Sequence, residues 1–275
     1  MSRANVHSAA TVAPQARSGT QSIERAVLML KELAAQPNFG WRATDLAARC
    51  GLDRATVQRI LGSLARSRLA QRRAGDKRYT IGPLLFELSV GLTPMDELHR
   101  LADEAIDALA RRSRAVAFFY LRSGDDFTCL ARAGTAPIQS LMFEVGTRRP
   151  LMSSAGGVAI LLAMPAEQAA ESLAENRARL ARWDTPMEGI ERIWQDSLRA
   201  GRAINSAATV AGWNALALPV RDAAGAPLGA VMLAGIAEQF PGTREAALLD
   251  MVAKTVSTIE QSIISGLDRK KRISV

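Results

Sequence analysis

The stretch GLDRATVQRILGSLARSRLA, residues 51–70, predicts a helix with two chemically different sides. At about 100° per residue, Val57 and Leu61 fall on an apolar side that must face a core, and Asp53 is placed to cap the helix. The other side and its flanks carry small, polar and cationic residues: Arg54, Ala55, Thr56, Gln58, Arg59 and Arg66. That surface is either an ordinary solvated face or one shaped to contact something negatively charged.

The neighbouring segments complete a small structural unit around this helix. Apolar residues at helical spacing predict a first helix over 22–36, and WRATDLAARC (41–50) predicts a second, with Thr44 as its N-cap. Residues 69–82 alternate apolar and polar about a central Ala-Gly-Asp, which is typical of a β-hairpin. Three short helices followed by a hairpin predict a winged helix-turn-helix.

The charge of the chain is concentrated on this unit. The formal net charge of the 275 residues is +8, yet residues 20–82 carry 12 Lys/Arg against 5 Asp/Glu, a net of +7, whereas residues 83–265 carry 17 against 21, a net of −4. A positive field confined to one small unit favours an anionic partner. Arg and Gln side chains match base edges in the major groove, and helix N-terminal N–H groups suit phosphate.

A solvated face would explain the charged helix alone but not the basic hairpin beside it. We therefore predict that the unit binds double-stranded DNA. The candidate contact residues lie on the second helix, the third helix and the hairpin: Thr44, Arg54, Ala55, Thr56, Gln58, Arg59, Arg66, Arg72, Lys77 and Arg78.

Five segments of the chain resemble one protein family. SIERAVLMLKELAA, ATDLAARCGLDRATVQRILGSL and RYTIGPLLFEL resemble the N-terminal domain of the IclR family of bacterial transcriptional regulators, and VGTRRPLMSSAGGVAILLA and ALALPVRDAAGAPLGAVMLAG resemble its effector-binding domain. The resemblance implies a winged helix-turn-helix, a linker helix and a GAF-like effector domain, assembled as a homodimer or a dimer of dimers. It implies a ligand-responsive repressor or activator, and we expect a repressor of a catabolic operon that responds to a small organic acid.

The remaining pattern agrees with an α+β class, an antiparallel sheet with flanking helices. We expect helices near 95–112, 154–163, 166–174, 187–200 and 243–265, and strands near 115–122, 126–133, 138–144, 202–209, 214–222 and 227–235. The expected organisation is a disordered tail at 1–19, the winged domain at 20–82, a linker helix at 83–94, the effector domain at 95–266 and a basic tail at 267–275. The linker is apolar on more than one face, so it packs either against a twin or as an ordinary core helix.

The segment RPLMSSAGGVAILLA is the most informative part of the second domain. Ser153 or Ser154 can cap a helix that begins near Ala155, and its free N–H groups favour a carboxylate, although a plain serine-capped helix has the same pattern. The resemblance implies that this helix start lines the effector pocket. The expected pocket residues are Phe118, Tyr120, Met142, Ser153, Ser154, Ala155, Gly156, Asn205, Trp213, Ala215, Met232 and Ala234.

This chain departs from the family pattern in a consistent direction. The family often has charged or hydrogen-bonding residues where this sequence has Asn205, Ala215, Met232, Ala234 and Val158. The pocket should therefore be less polar, and we expect an aromatic or otherwise apolar-bodied carboxylate as effector. Two alternatives stay open: a degenerate pocket, or polarity supplied by Arg132 or Asn214.

Other functional classes find little support in the sequence. Cys50 and Cys129 are isolated and the chain has only two histidines, so we expect no metal and no cofactor. A serine-dependent enzyme using Ser153 or Ser154 would need a nearby base, and His99 is expected to be remote. A redox sensor at Cys129 is the other alternative. The N-terminus lacks an apolar signal segment, so a cytoplasmic location is expected.

Overall fold

A computed structural model describes residues 18–36, 38–135, 143–183 and 185–273. Within those ranges the helices are α1 (Ser18–Ala35), α2 (Ala43–Cys50), α3 (Arg54–Arg66), α4 (Pro83–Ser89), α5 (Thr93–Ser113), α6 (Ala155–Leu162), α7 (Ala166–Arg182), α8 (Met187–Ala200) and α9 (Gly242–Ile273). The strands are β1 (Ala70–Arg72), β2 (Tyr79–Ile81), β3 (Val116–Ser123), β4 (Asp126–Ala133), β5 (Arg148–Pro150), β6 (Ala203–Ser206), β7 (Trp213–Arg221) and β8 (Pro227–Ile236). Single 3-10 turns lie at Leu151–Ser153 and Ala237–Gln239.

Helices α1–α3 and the β1–β2 hairpin form the expected winged helix-turn-helix. The apolar side of α3 is inside, since Val57 and Leu61 are fully buried against the other two helices. Asp53 caps α3 by accepting the backbone N–H of Thr56 at 2.8 Å. Gly51 ends α2 with φ of 64°, a left-handed conformation that glycine adopts without strain.

Two local predictions in this unit were wrong. Helix α1 begins at Ser18, so the last two residues of the expected N-terminal tail are helical, while residues 1–17 lie outside the described part of the chain. Thr44 is not the cap of α2, because the helix already begins at Ala43. The Thr44 hydroxyl instead donates to the Asp45 carboxylate at 3.0 Å within the first turn.

The second unit is a six-stranded sheet between two layers of helices. Its strand order is β5-β4-β3-β8-β7-β6, and every neighbouring pair is antiparallel. Helices α6, α7 and α8 cover one face, where Phe118 and Tyr120 point, while α5 and α9 cover the other, where Ala117 and Phe119 point. This is the predicted α+β arrangement.

Several element boundaries differ from the prediction. Helix α7 continues to Arg182 instead of ending near 174, because Leu173 and Leu180 extend its buried face. Strand β5 was not predicted. Residues 138–142 of the predicted strand 138–144 lie outside the described residues, and residues 143 and 144 are not in a strand. Helix α9 continues to Ile273, so most of the expected basic tail is helical. Among the described helices, none has the length and apolarity needed to cross a bilayer.

Gly157 in α6 offers a test of this packing. A Cβ at this position would lie 2.0 Å from the Leu151 carbonyl oxygen, whereas one at Gly62 in α3 would find its nearest neighbour, the Arg66 guanidinium, at 3.6 Å. We expect Gly157→Ala to lower the free energy of unfolding by roughly 1–3 kcal/mol. The matched Gly62→Ala should raise it by about 0.5–1 kcal/mol, because alanine is the better helix former. Urea unfolding followed by circular dichroism checks both; a Gly157→Ala variant as stable as the parent would contradict the packing described.

Candidate functional site

No other described part of the chain covers the outer side of α3. Thr56 is half-buried, and the other side chains of the predicted contact surface on this helix are exposed: Arg54, Ala55, Gln58, Arg59 and Arg66. In the described part of the chain no carboxylate forms an ion pair with any of these three arginines. The helix therefore presents unneutralised guanidinium groups beside small residues, as a surface that approaches DNA requires.

A cleft of about 410 Å³ joins α3 to the start of α2 and to the hairpin. It brings together four of the predicted DNA contacts, which are Thr44, Gln58, Arg72 and Lys77. Arg42 adds a further cation to this lining, and Asp76 is its one carboxylate. The cleft is thus a polar, mostly cationic groove that continues the exposed side of α3.

The base of the hairpin is held by arginines that bind the protein itself. Arg78, predicted as a DNA contact, is half-buried and donates to the Gly40 carbonyl at 3.1 Å. Arg73 donates to the Asn38 carbonyl at 2.9 Å, and both guanidinium groups pair with Asp76. Lys77, in contrast, is exposed at the tip. Of the basic hairpin residues, Arg72 and Lys77 are the ones left facing solvent.

A cavity of about 380 Å³ lies between the sheet and helices α6–α8. Nine residues expected in the effector pocket line it: Phe118, Ser153, Ser154, Ala155, Asn205, Trp213, Ala215, Met232 and Ala234. Tyr120 and Gly156 do not. A Cβ on Gly156 would lie 2.4 Å from the Tyr120 ring, so this glycine serves ring packing and not the approach of a ligand. Met142 lies outside the described residues.

The polar side chains predicted for the cavity already have partners in the protein. Ser154 caps α6 by accepting the Gly157 N–H at 3.1 Å, and the Ser153 hydroxyl donates to the Pro150 carbonyl at 2.7 Å. Asn205 accepts the Ala208 N–H at 2.9 Å. These contacts hold the cavity wall in shape and leave few hydrogen-bonding side-chain groups for a guest.

The general base that a serine nucleophile needs is absent from the described residues of the cavity wall. His99 lies on α5, across the sheet from the cavity, and its Nε2 is 3.4 Å from Asp103. Burial raises the pKa of both Cys50 and Cys129 to about 12, so neither thiol is a thiolate near neutral pH, contrary to the redox-sensor alternative. Among the described residues no group of three or more His, Cys, Asp or Glu side chains could hold a metal.

Two cationic residues of the cavity wall were not predicted. Arg149 comes from β5, and Arg49 comes from α2 of the winged unit. The predicted alternatives, Arg132 and Asn214, do not line the cavity. Trp183, at the end of α7, was also missed because that helix was expected to end earlier. The spacing of apolar residues along α7 was the signal that could have predicted Trp183. For Arg149 the sequence offers no such signal, because nothing distinguishes it from the other arginines.

The two units of the chain meet at the edge of this cavity. The Trp183 indole N–H donates to the Arg49 carbonyl at 3.3 Å, and the Arg49 guanidinium stacks on the Trp183 ring. Arg49 also pairs with Glu32 of α1 at 2.9 Å. Asn38 donates to the Glu144 carboxylate at 2.7 Å. Both arginines at this boundary are half-buried, and this burial lowers the pKa of Arg49 and of Arg149.

The comparisons with known proteins agree with both units. A family model described as the IclR helix-turn-helix domain matches residues 22–74, and one described as the C-terminal domain of bacterial transcriptional regulator IclR matches residues 92–261. The chain belongs to the IclR family of bacterial transcriptional regulators. It is therefore a regulator with a DNA-binding domain and a C-terminal ligand-binding domain, and not an enzyme.

Individual IclR relatives span nearly the whole chain. A glycerol operon regulatory protein of Streptomyces griseus is 28% identical over 250 residues, which is 90% of this chain and 97% of the relative. An IclR-family regulator from Brucella abortus has the same fold with a TM-score of 0.68 at 20% identity, covering 92% of this chain and 96% of its own. An IclR homologue from Microbacterium hydrocarbonoxydans, solved in complex with 4-hydroxybenzoate, has a TM-score of 0.61 at 18% identity, covering 89% and 99%.

Proposed function

We propose that this IclR-family regulator represses a catabolic operon and releases it in response to an aromatic organic acid. DNA binding is assigned to a domain spanning residues 20–82, effector binding to residues 95–266, and the connection to a linker at 83–94. The observation that carries the effector class is the cavity: its walls are largely apolar and aromatic, and its cations are arginines. Repression requires only that the protein occupy its operator, since bound protein excludes others from the same DNA.

The geometry of the winged unit supports insertion of α3 into the major groove. The apolar side of the helix is buried in the core of the domain. The side that can contact a duplex is therefore the one with Arg54, Gln58 and Arg59. In a two-fold dimer, two such helices enter successive major grooves of a pseudo-palindrome. Arg59 lies mid-helix and is placed to contact a base, whereas Lys77 at the hairpin tip is placed to contact phosphate.

A pair of variants tests this division of roles. Arg59→Ala should lower affinity for the preferred sequence by roughly 1–3 kcal/mol and leave affinity for scrambled DNA almost unchanged. Lys77→Ala should weaken binding to the preferred and the scrambled sequence equally. It should also reduce the slope of log affinity against log salt concentration by about one, because one fewer counterion is released. Fluorescence anisotropy on a duplex selected from a random pool, and on its scrambled control, measures both. Equal losses of both variants on the two duplexes would contradict the assignment.

The linker supplies the surface for the second protomer. Its apolar side chains face solvent in the single chain, and Phe86 is 74% exposed. Leu88, Val90 and Leu92 continue the exposed apolar row at 62%, 64% and 54%. Because monomeric proteins rarely leave such a row uncovered, we assign it to contact with a second copy of the chain, in a homodimer or a dimer of dimers.

Polar substitution in this row should therefore weaken self-association. We expect the double variant Phe86→Ser with Val90→Ser to raise the dimer dissociation constant by about a hundredfold or more, because each side chain buries apolar surface worth roughly 1.5–3 kcal/mol. Analytical ultracentrifugation over a concentration series gives the constant. Leu198→Ser, at an exposed leucine of α8, is the matched control and should change nothing. A double variant that stays as associated as the parent would place the interface elsewhere.

The size and lining of the cavity support an aromatic effector. Phe118, Phe143, Trp183 and Trp213 surround an apolar interior, which suits a planar ring better than a small oxoacid. The relative bound to 4-hydroxybenzoate is a protein of the same fold, and its ligand belongs to this chemical class. A degenerate pocket is the less favoured alternative, because the cavity is open and not filled by side chains.

A thermal-shift series tests the effector class. Benzoate or 4-hydroxybenzoate at about 100 times its Kd should stabilise the native protein by about 2.7 kcal/mol, which raises Tm by roughly 5–10 °C for a chain of this size. Glyoxylate and pyruvate, which cannot fill the aromatic interior, serve as controls and should produce little shift. Stabilisation by the small oxoacids alone would reject the aromatic class, and no shift with any acid would favour the degenerate pocket.

A further inference from the structure

The cavity edge carries two more positive charges than the neighbouring carboxylates neutralise, since four arginines lie beside Glu32 and Asp126. Glu32 is paired with Arg49. Asp126 is shared between Arg148 and Arg179, both largely buried. Arg149, next along β5, forms no ion pair with any described carboxylate, although it lies in the same shielded region. Its guanidinium thus has no ion-pair partner among the described residues, and the charge of Glu32 acts on it only from beyond ion-pair distance.

The geometry of β5 explains why Arg149 faces the cavity. Successive side chains of a strand point to opposite sides. Arg148 is held on one side by its 2.7 Å bond to Asp126 and its 2.8 Å bond to Ser123, so Arg149 is directed to the other. A partly desolvated guanidinium whose donors face an otherwise apolar space is best satisfied by a carboxylate, which it can bind with two parallel hydrogen bonds.

Arg49 brings the DNA-binding domain into the same place. It lies in the last turn of α2, shortly before the turn that leads into α3, and lines the cavity together with Arg149. Burial is the main cause that lowers the pKa of Arg49, and the charges of Arg149 and Arg179 lower it further, so these two cations repel Arg49 across the domain boundary. An anion placed among them would remove that repulsion and hold the two domains together.

We propose that Arg149 binds the carboxylate of the effector, and that Arg49 senses the same anion from the DNA-binding domain, so that an occupied cavity fixes α2 and α3 against the effector domain of the same chain. This inference rests on the proposed effector class and adds the residues that recognise the acid and transmit its presence. The ring of the ligand occupies the aromatic interior and its carboxylate faces the domain boundary. Trp183, which contacts Arg49 through both its indole N–H and its ring, is the positioning residue of this contact.

Binding of benzoate and of neutral benzamide to the full chain tests the first half of the proposal. We expect Arg149→Gln to weaken benzoate binding by about tenfold or more and benzamide binding by less than about twofold, as measured by isothermal titration calorimetry. Arg149→Lys keeps the positive charge but lacks the planar guanidinium that makes two parallel hydrogen bonds. Its affinity for benzoate should lie between those of the parent and Arg149→Gln. Arg192→Gln, at an exposed arginine of α8, is the matched control. Retained benzamide binding shows that the Arg149→Gln cavity is folded.

Hydrogen exchange tests the second half. Saturating benzoate should slow amide exchange in a peptide covering residues 44–52, which belongs to the DNA-binding domain, by several fold in the parent protein. With Arg49→Gln, the benzoate concentration is raised until peptides of α6 are protected as in the parent, and exchange in residues 44–52 should then no longer be slowed.

The outcomes separate this proposal from the proposed function. If the parent binds no aromatic acid, the effector class fails and the inference fails with it. If the parent binds benzoate but Arg149→Gln binds it equally well, or the parent binds benzamide as tightly as benzoate, the effector class stands and Arg149 is not its anchor. If benzoate protects α6 and leaves residues 44–52 unchanged, the domains are not joined by the ligand.

Discussion

The burial of β3 and β8 on both faces is the constraint on which the cavity depends. These strands lie at the centre of the sheet with helices above and below, so most of their side chains enter one of two apolar layers. Their register pairs Phe118 with Met232 and Val116 with Ala234, which places Phe118, Met232 and Ala234 together on the cavity side. A slip of one residue would send these side chains to the opposite layer and replace the cavity wall.

Buried polar contacts then fix the edge of the cavity. Asp126 binds Arg148 and Arg179, joining β4, β5 and α7 at one point. The Asn176 side chain accepts the Met152 N–H and donates to the Asp125 carbonyl, both at 2.9 Å, which ties α7 to the 3-10 turn before α6. Because unsatisfied buried polar groups are costly, these contacts hold β5 in one orientation. The direction of the Arg149 side chain follows from them.

The parts of the protein that the sequence predicted well are those decided by local rules. The Asp53 cap, the Gly51 terminus and the buried side of α3 each depend on a few neighbouring residues, and all three were confirmed. The Thr44 cap was wrong by two residues, since the N-cap of α2 is Arg42, and helix ends often differ by this much. The length of α7 and the existence of β5 were missed, because a three-residue strand has too little pattern and α7 packs against elements distant in sequence.

The sequence by itself determined the winged unit, the α+β class and most of the apolar cavity wall, because hydrophobic periodicity, caps and turn residues act over short distances along the chain. Only the tertiary structure decided which of many arginines face solvent and which face the cavity. Arg149 and Arg49 lie 100 positions apart in two different units, and each looks like an ordinary surface cation in the sequence. Folding places them at one shielded boundary, and the low polarity there is what turns an unremarkable arginine into a candidate recognition group.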